Sequence, residues 1–247
     1  MNLRRIVHLW VGILFLSSLV TVKAQHYSHF TLWSRVQVVL PLSTHWNMAT
    51  TFHWRRQNNY HLRAENPLNS PLATAGQLLF THRNTANTVW IHAAQLSYYH
   101  SNQLLGKETD FNAVPRQEIR YGGGIEFNQE LTEKLTLRQR FMQEFRFFAD
   151  NHFQPVGRVR TRFNVRYQVK PFVSINSVTE ILFHNPPVLA NQKLFRFNQY
   201  WIGGSLLWSL NERVNLETGY TFIRTRRITV VEFDDQNIVN LHFSFQL

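Results

Sequence analysis

Arginine and glutamate recur in this chain at a spacing that could hold or pass anions. Arg158, Arg160, Arg162 and Arg166 fall on even positions of one short segment, separated by Val159, Thr161, Phe163 and Val165 among others. Arg138, Arg140, Glu144 and Arg146 repeat the pattern before it, Glu180 and Arg196 follow it, and Arg120 sits earlier between Glu118 and Glu126. A guanidinium presents a rigid fork of donors that matches a carboxylate or a phosphate. Two kinds of chemistry follow. Paired with the glutamates, the arginines form a hydrated ion-pair network that stiffens an interior, because buried charges must be paired. In excess over the glutamates, they line a narrow passage that attracts small anionic solutes.

Catalytic signals are thinner. His242 and Ser244 are two apart, the spacing that puts a base and a nucleophile on one face of a strand. That pattern resembles outer-membrane lipid-modifying hydrolases built on a His/Ser pair, and it is the alternative reading of function. Tyr99-His100-Ser101-Asn102 resembles the His-x-Ser-Asn stretch of the outer-membrane phospholipases. There the two groups are adjacent, so in a strand they point apart. The 12 histidines show no metal spacing on a common face, and Gly122-Gly123-Gly124 lacks the lysine and helix of a phosphate-binding loop. No cofactor and no metal are expected, and an enzyme is the less favoured class.

The charged residues need elements that alternate. In an extended chain Val159, Thr161, Phe163, Val165, Tyr167 and Val169 form one wall and the arginines, with Asn164 and Gln168, form the other. The same alternation recurs through the chain, with Val239, Leu241, Phe243, Phe245 and Leu247 set against Asn240, His242, Ser244 and Gln246 at the end. Basic residues spread in this way do not make the stripe or tail of a nucleic-acid binder, and no nucleic-acid partner is expected. Cysteine is absent, so no disulfides staple the chain.

The beginning of the chain reads as an export signal. Arg4 and Arg5 precede the apolar run Ile6 to Val20, and Val22-Lys23-Ala24 offers a cleavage site. Residues 1–24 are expected to be a cleaved leader and 25–247 a single domain. Loss of Arg4, Arg5 and Lys23 lowers the formal charge from +11 to +8.

Connections alternate short and long. Pro41 to Thr44, Asn84 to Asn87, Leu131 to Lys134, Lys170-Pro171 and Asn211 to Arg213 are short. Gln57 to Thr74, Ser101 to Pro115, Ala149 to Val156, the Pro186-Pro187 loop and Arg224 to Asp235 are long. Short turns at one end and long loops at the other mark an outer-membrane barrel. The expected fold is therefore all-β, an antiparallel transmembrane outer-membrane β-barrel of about ten to twelve strands. A soluble exported β-sandwich binding protein is the competing architecture. Eleven segments can be counted, whereas bacterial single-chain barrels have an even number, so ten or twelve strands are expected. Gly203-Gly204 reads as a bulge and the glycines at 122–124 as a bend or close approach.

The Trp33 strand, the Trp46 to Arg55 strand, the paired Arg-x-Arg strands at Arg138 and Arg158, and Glu180-Ile181-Leu182-Phe183 before Arg196 together resemble the domain of unknown function 2490 family. The resemblance implies an outer-membrane location in a Gram-negative envelope and supplies no catalytic residues. Outer-membrane lipid and the barrel assembly machinery are the implied partners, the latter reading the aromatic alternation at Phe243, Phe245 and Leu247.

Overall fold

Alternating strands have two faces that want different surroundings, and closing the sheet on itself gives each face a continuous one. The computed structural model describes residues 25–58, 66–101, 114–115, 117–149, 155–185, 196–226 and 232–247. The expected leader lies outside the described residues, as do parts of every long loop.

Eleven strands form a closed barrel among the described residues. They are β1 (Gln25–Pro41), β2 (Trp46–Gln57), β3 (Ser70–Arg83), β4 (Thr88–Tyr99), β5 (Glu118–Thr132) and β6 (Leu135–Phe148). The second half adds β7 (Pro155–Lys170), β8 (Val173–Asn185), β9 (Arg196–Ser209), β10 (Val214–Arg226) and β11 (Glu232–Gln246). Each strand pairs antiparallel with its neighbours in sequence. The exception is the closing seam, where β1 and β11 run parallel with Leu32 opposite Val239 and Val36 opposite Phe243. An odd number of up-and-down strands leaves the first and last pointing the same way, so they can meet only in parallel. The expectation of ten or twelve strands, all antiparallel, is thus corrected: the eleven segments are all strands, and the seam absorbs the parity.

The faces are inverted relative to a water-soluble protein. Phe52, Leu96, Tyr98, Tyr121, Ile175 and Val239 stand exposed on the outside. Glu118, Glu180 and Arg158 are 1%, 1% and 4% exposed on the inside. Closure also leaves no strand edge unpaired. The strands run from 12 to 17 residues, longer than the 9–11 that a tilted crossing requires, so they extend beyond such a crossing.

Side chains fix the short turns at 42–45, 133–134 and 210–213. Ser43 Oγ accepts from Trp46 N at 3.1 Å, Thr132 Oγ1 from Leu135 N at 3.1 Å, and Asn211 Oδ1 from Val214 N at 2.9 Å. Short hydroxyl and amide side chains capture the free N–H groups that a tight reversal leaves.

The structure departs from the sequence reading at several points, among them the start of β11 at Glu232, inside the expected Arg224 to Asp235 loop. β3 starts at Ser70, inside the segment expected to be loop, although Pro71 lies there; Pro71 sits opposite the register shift at Arg55/Arg56, where the ladder is already broken. β7 likewise starts at Pro155, a first position that needs no donor. Gly203 and Gly204 are in regular register, and the irregularity lies at Leu182/Phe183 opposite Phe197 and Gln199. Glycine is needed at 203 for another reason, since a Cβ there would fall 2.7 Å from Thr221 Oγ1. The close approach expected at 122–124 is present: a Cβ on Gly124 would stand 2.2 Å from the carbonyl oxygen of Phe141.

Candidate functional site

Parity places the charged residues on one continuous inner wall. Arg120 lies opposite Arg146, Glu144 opposite Arg158, and Arg162 opposite Glu180, so four successive strands bring like and unlike charges into adjacent rows. Three carboxylates organise the rows. Glu118 accepts from Nε of both Arg120 and Arg146 at 2.5 Å. Glu144 accepts from Arg158 Nε at 2.7 Å and from Arg160 Nη1 at 2.5 Å. Glu180 accepts from Arg160 Nε at 2.5 Å and from Arg162 Nη2 at 2.7 Å. Arg160 therefore bridges two glutamates, and each glutamate is held by two guanidinium groups.

Arg140 pairs with Glu126 at 2.6 Å, closer to the short-turn end and more open to water. Arg138 and Arg166 also face the lumen, but among the described residues no carboxylate pairs with either. Arg196 is the first residue of β9, and its side chain lies outside the described residues. The sequence-derived set thus divides into a clasped belt (Arg120, Glu144, Arg146, Arg158, Arg160, Arg162 and Glu180), a looser pair at Arg140, two arginines, Arg138 and Arg166, with no acidic partner among the described residues, and Arg196, whose side chain lies outside them.

The room for these side chains is made by glycine. A Cβ on Gly122 would approach Glu144 Cγ to 3.0 Å, so the glutamate lies directly over the glycine backbone. Contacts then cross the lumen. Trp33 on β1 and Trp201 on β9 meet edge to face with ring centroids 5.8 Å apart, although β10 and β11 separate their strands. Arg55 stacks 4.1 Å above the Trp33 ring, and Arg160 lies 5.6 Å from that of Trp201. Guanidinium groups and indoles together fill the middle of the barrel.

Leu182, Ile223 and Ile238 complete the filling, each buried to 1% or less on the inner face. The sequence reading passed over them because it read the inner wall as polar. Their signal was parity alone: Leu182 shares a face with Glu180, Ile223 with Glu217, and Ile238 with Asn240.

The two His/Ser pairs fare differently. His100 Nε2 contacts Thr74 at 3.3 Å while Ser101 Oγ donates to the Pro71 carbonyl at 2.6 Å, so these neighbours face different partners. His242 and Ser244 share the lumen face. His242 Nδ1 lies 3.5 Å from Glu217 Oε2, and Ser244 Oγ donates to Gln37 Oε1 at 3.5 Å. No hydrogen bond between His242 and Ser244 is formed. Among the described residues no group of three His, Asp or Glu could hold a metal ion.

At the short-turn end the filling stops. A cavity of about 410 Å³ opens there, lined by Gln37, Arg138, Arg166, Asn215, His242 and Ser244, with Leu207 and Glu217 completing its wall.

Comparison with known proteins gives three results. The family model described as "Protein of unknown function (DUF2490)" matches residues 30–233. Among curated proteins no relative matches the chain. A solved structure described as the NanC porin in a rhombohedral crystal form is similar at 10% identity and a TM-score of 0.47, over 78% of this chain and 84% of that one.

Proposed function

The chain belongs to the DUF2490 family, proteins of unknown function, and on that footing we propose that it is an outer-membrane β-barrel whose lumen is closed across its middle by the arginine–glutamate belt. On this reading residues 1–24 are a leader removed on export and residues 25–247 form the barrel. The apolar outer face meets lipid, the barrel assembly machinery inserts the chain, and the long loops face the cell exterior of a Gram-negative envelope. Exposed apolar staves around a charged interior are what a bilayer demands, since lipid cannot solvate either charge or free backbone groups.

The observation that carries the closed lumen is the Trp33–Trp201 contact between strands that are not neighbours. It supports a barrel that acts as a rigid wall. A second reading is favoured by one specific observation: lumen arginines outnumber the glutamates they could neutralise, so any leak through the belt prefers anions.

Refolded protein in planar bilayers tests both. No conductance steps are expected from the parent chain. Small steps with a reversal potential shifted toward the anion would replace the closed belt by a narrow anion-preferring passage. Large, weakly selective steps would refute both readings and leave a general pore. Recovery of the protein in the soluble periplasmic fraction would remove the membrane assignment and leave an exported soluble barrel.

A further inference from the structure

We propose that the short-turn mouth of the lumen is a binding cup for a small, multiply charged oxyanion, a phosphorylated or polycarboxylated organic molecule. The cup rests on the reading of the barrel above for the side from which its ligand enters, the periplasm, and on its own geometry for the rest.

Arg138 and Arg166 are the first part of the argument. Arg138 lies opposite Asn164, and Arg166 opposite Thr136, which makes the two arginines diagonal neighbours on the same inner face. Diagonal neighbours on a sheet approach closely enough for long side chains to interact, and like charges so placed repel. Every arginine of the belt is held by at least one carboxylate: Arg120 and Arg146 share Glu118, Arg158 and Arg160 share Glu144, and Arg160 and Arg162 share Glu180. For Arg138 and Arg166, among the described residues no acidic side chain is hydrogen-bonded to either. An oxyanion between two guanidinium forks would supply the missing acceptor.

The second part is independent. His242 lines the cup, and directly in register with it on β1 is Arg35, which in turn lies opposite His53 on β2. Nε2 of His242, Nε of Arg35 and Nε2 of His53 are all buried without a hydrogen-bond partner. Buried polar atoms are nearly always satisfied, so the unsatisfied Nε2 of His242, in the same wall as Arg138 and Arg166, marks a place for an acceptor, and Arg35 and His53 continue the row away from the cup. Glu217 is the one carboxylate in the wall, and it is already engaged, accepting from Ser205 Oγ at 2.5 Å.

Size sets the ligand class. The cavity of about 410 Å³ lies within the usual range for small-molecule sites and exceeds what a bare phosphate needs. Gln37, Asn215 and Ser244 add neutral polar groups, and Leu207 adds one apolar contact. That lining suits an organic body carrying phosphate or carboxylate groups.

The test uses full-length refolded protein in detergent, with inorganic phosphate and citrate as charged probes and glucose as an uncharged one, read by titration calorimetry. Saturable binding of citrate, with phosphate weaker and glucose absent, is expected. The double variant Arg138→Gln/Arg166→Gln should weaken citrate at least tenfold, while Lys134→Gln/Arg213→Gln, which removes the same charge from exposed turns at the same end, should leave it unchanged. Heat-modifiable migration on a gel checks that each variant folds. No binding by the parent chain, or equal loss in both double variants, overturns the cup. Conductance decides the belt and calorimetry decides the cup, so either can fail while the other stands.

Discussion

Glu144 shows how much one carboxylate can organise. It holds Arg158 and Arg160, and both it and Arg158 are almost wholly removed from solvent. Its removal leaves the Arg158 guanidinium without an acceptor and Arg160 with Glu180 alone, in a poorly solvating interior where breaking a buried pair costs about 3–5 kcal/mol. Glu144→Ala should therefore lower the urea midpoint of the folded barrel strongly. Glu126→Ala, at a pair whose arginine is 29% exposed, should lower it much less, because water can replace the lost carboxylate. Equal losses would mean that the belt is as wet as the mouth. The glycines make a matching test of the close packing. Gly124→Ala should destabilise by about 1–3 kcal/mol, the usual cost of overpacking, since its new methyl would meet the Phe141 carbonyl and Met142. Gly76→Ala has open space and should be tolerated in the same unfolding assay.

The strands were legible in the sequence wherever parity was strict. β7 alternates cleanly from Arg158 to Lys170 and β11 from Val239 to Gln246, and the residues that face inward there could be read directly. Legibility failed where a strand passed through a residue with a reputation for breaking strands: Pro71 reads as loop because its missing N–H is costly in a regular ladder, and only the facing bulge at Arg55/Arg56 makes its place free of that cost. The apolar inner residues Leu182, Ile223 and Ile238 were hidden by a different habit, that of assigning apolar side chains to the lipid wall. The seam could not be read at all, because pairing between the first and last strands leaves no local mark. It can be measured. The chain has no cysteine, so Ser34→Cys/Leu241→Cys, at directly opposed seam positions, should form a disulfide under mild oxidation. Ser34→Cys/Val239→Cys, one outward-facing pair out of register, should cross-link far less. Equal cross-linking of the two pairs would show that the seam slides.

At the scale of the molecule, charge and oil have exchanged the places they hold in a soluble protein, and what holds the barrel together is accordingly divided. The wall rests on a closed backbone ladder, the middle on the belt and the Trp33–Trp201 contact, and the short-turn end on turns capped by Ser43, Thr132 and Asn211. If the barrel spans the outer membrane as proposed, the parallel seam also decides on which side each of its ends lies. A barrel with an even number of staves comes back to the side from which it set out; this one does not, and Gln25 lies at the rim of the long loops while Gln246 lies at the rim of the short turns. A peptide tag inserted just ahead of Gln25 should be cut by protease added to intact cells, and a tag after Leu247 should be cut only once the outer membrane is breached; the opposite pattern would turn the barrel upside down. On the proposed orientation, the odd strand count sets the two ends of the barrel on opposite sides of the membrane.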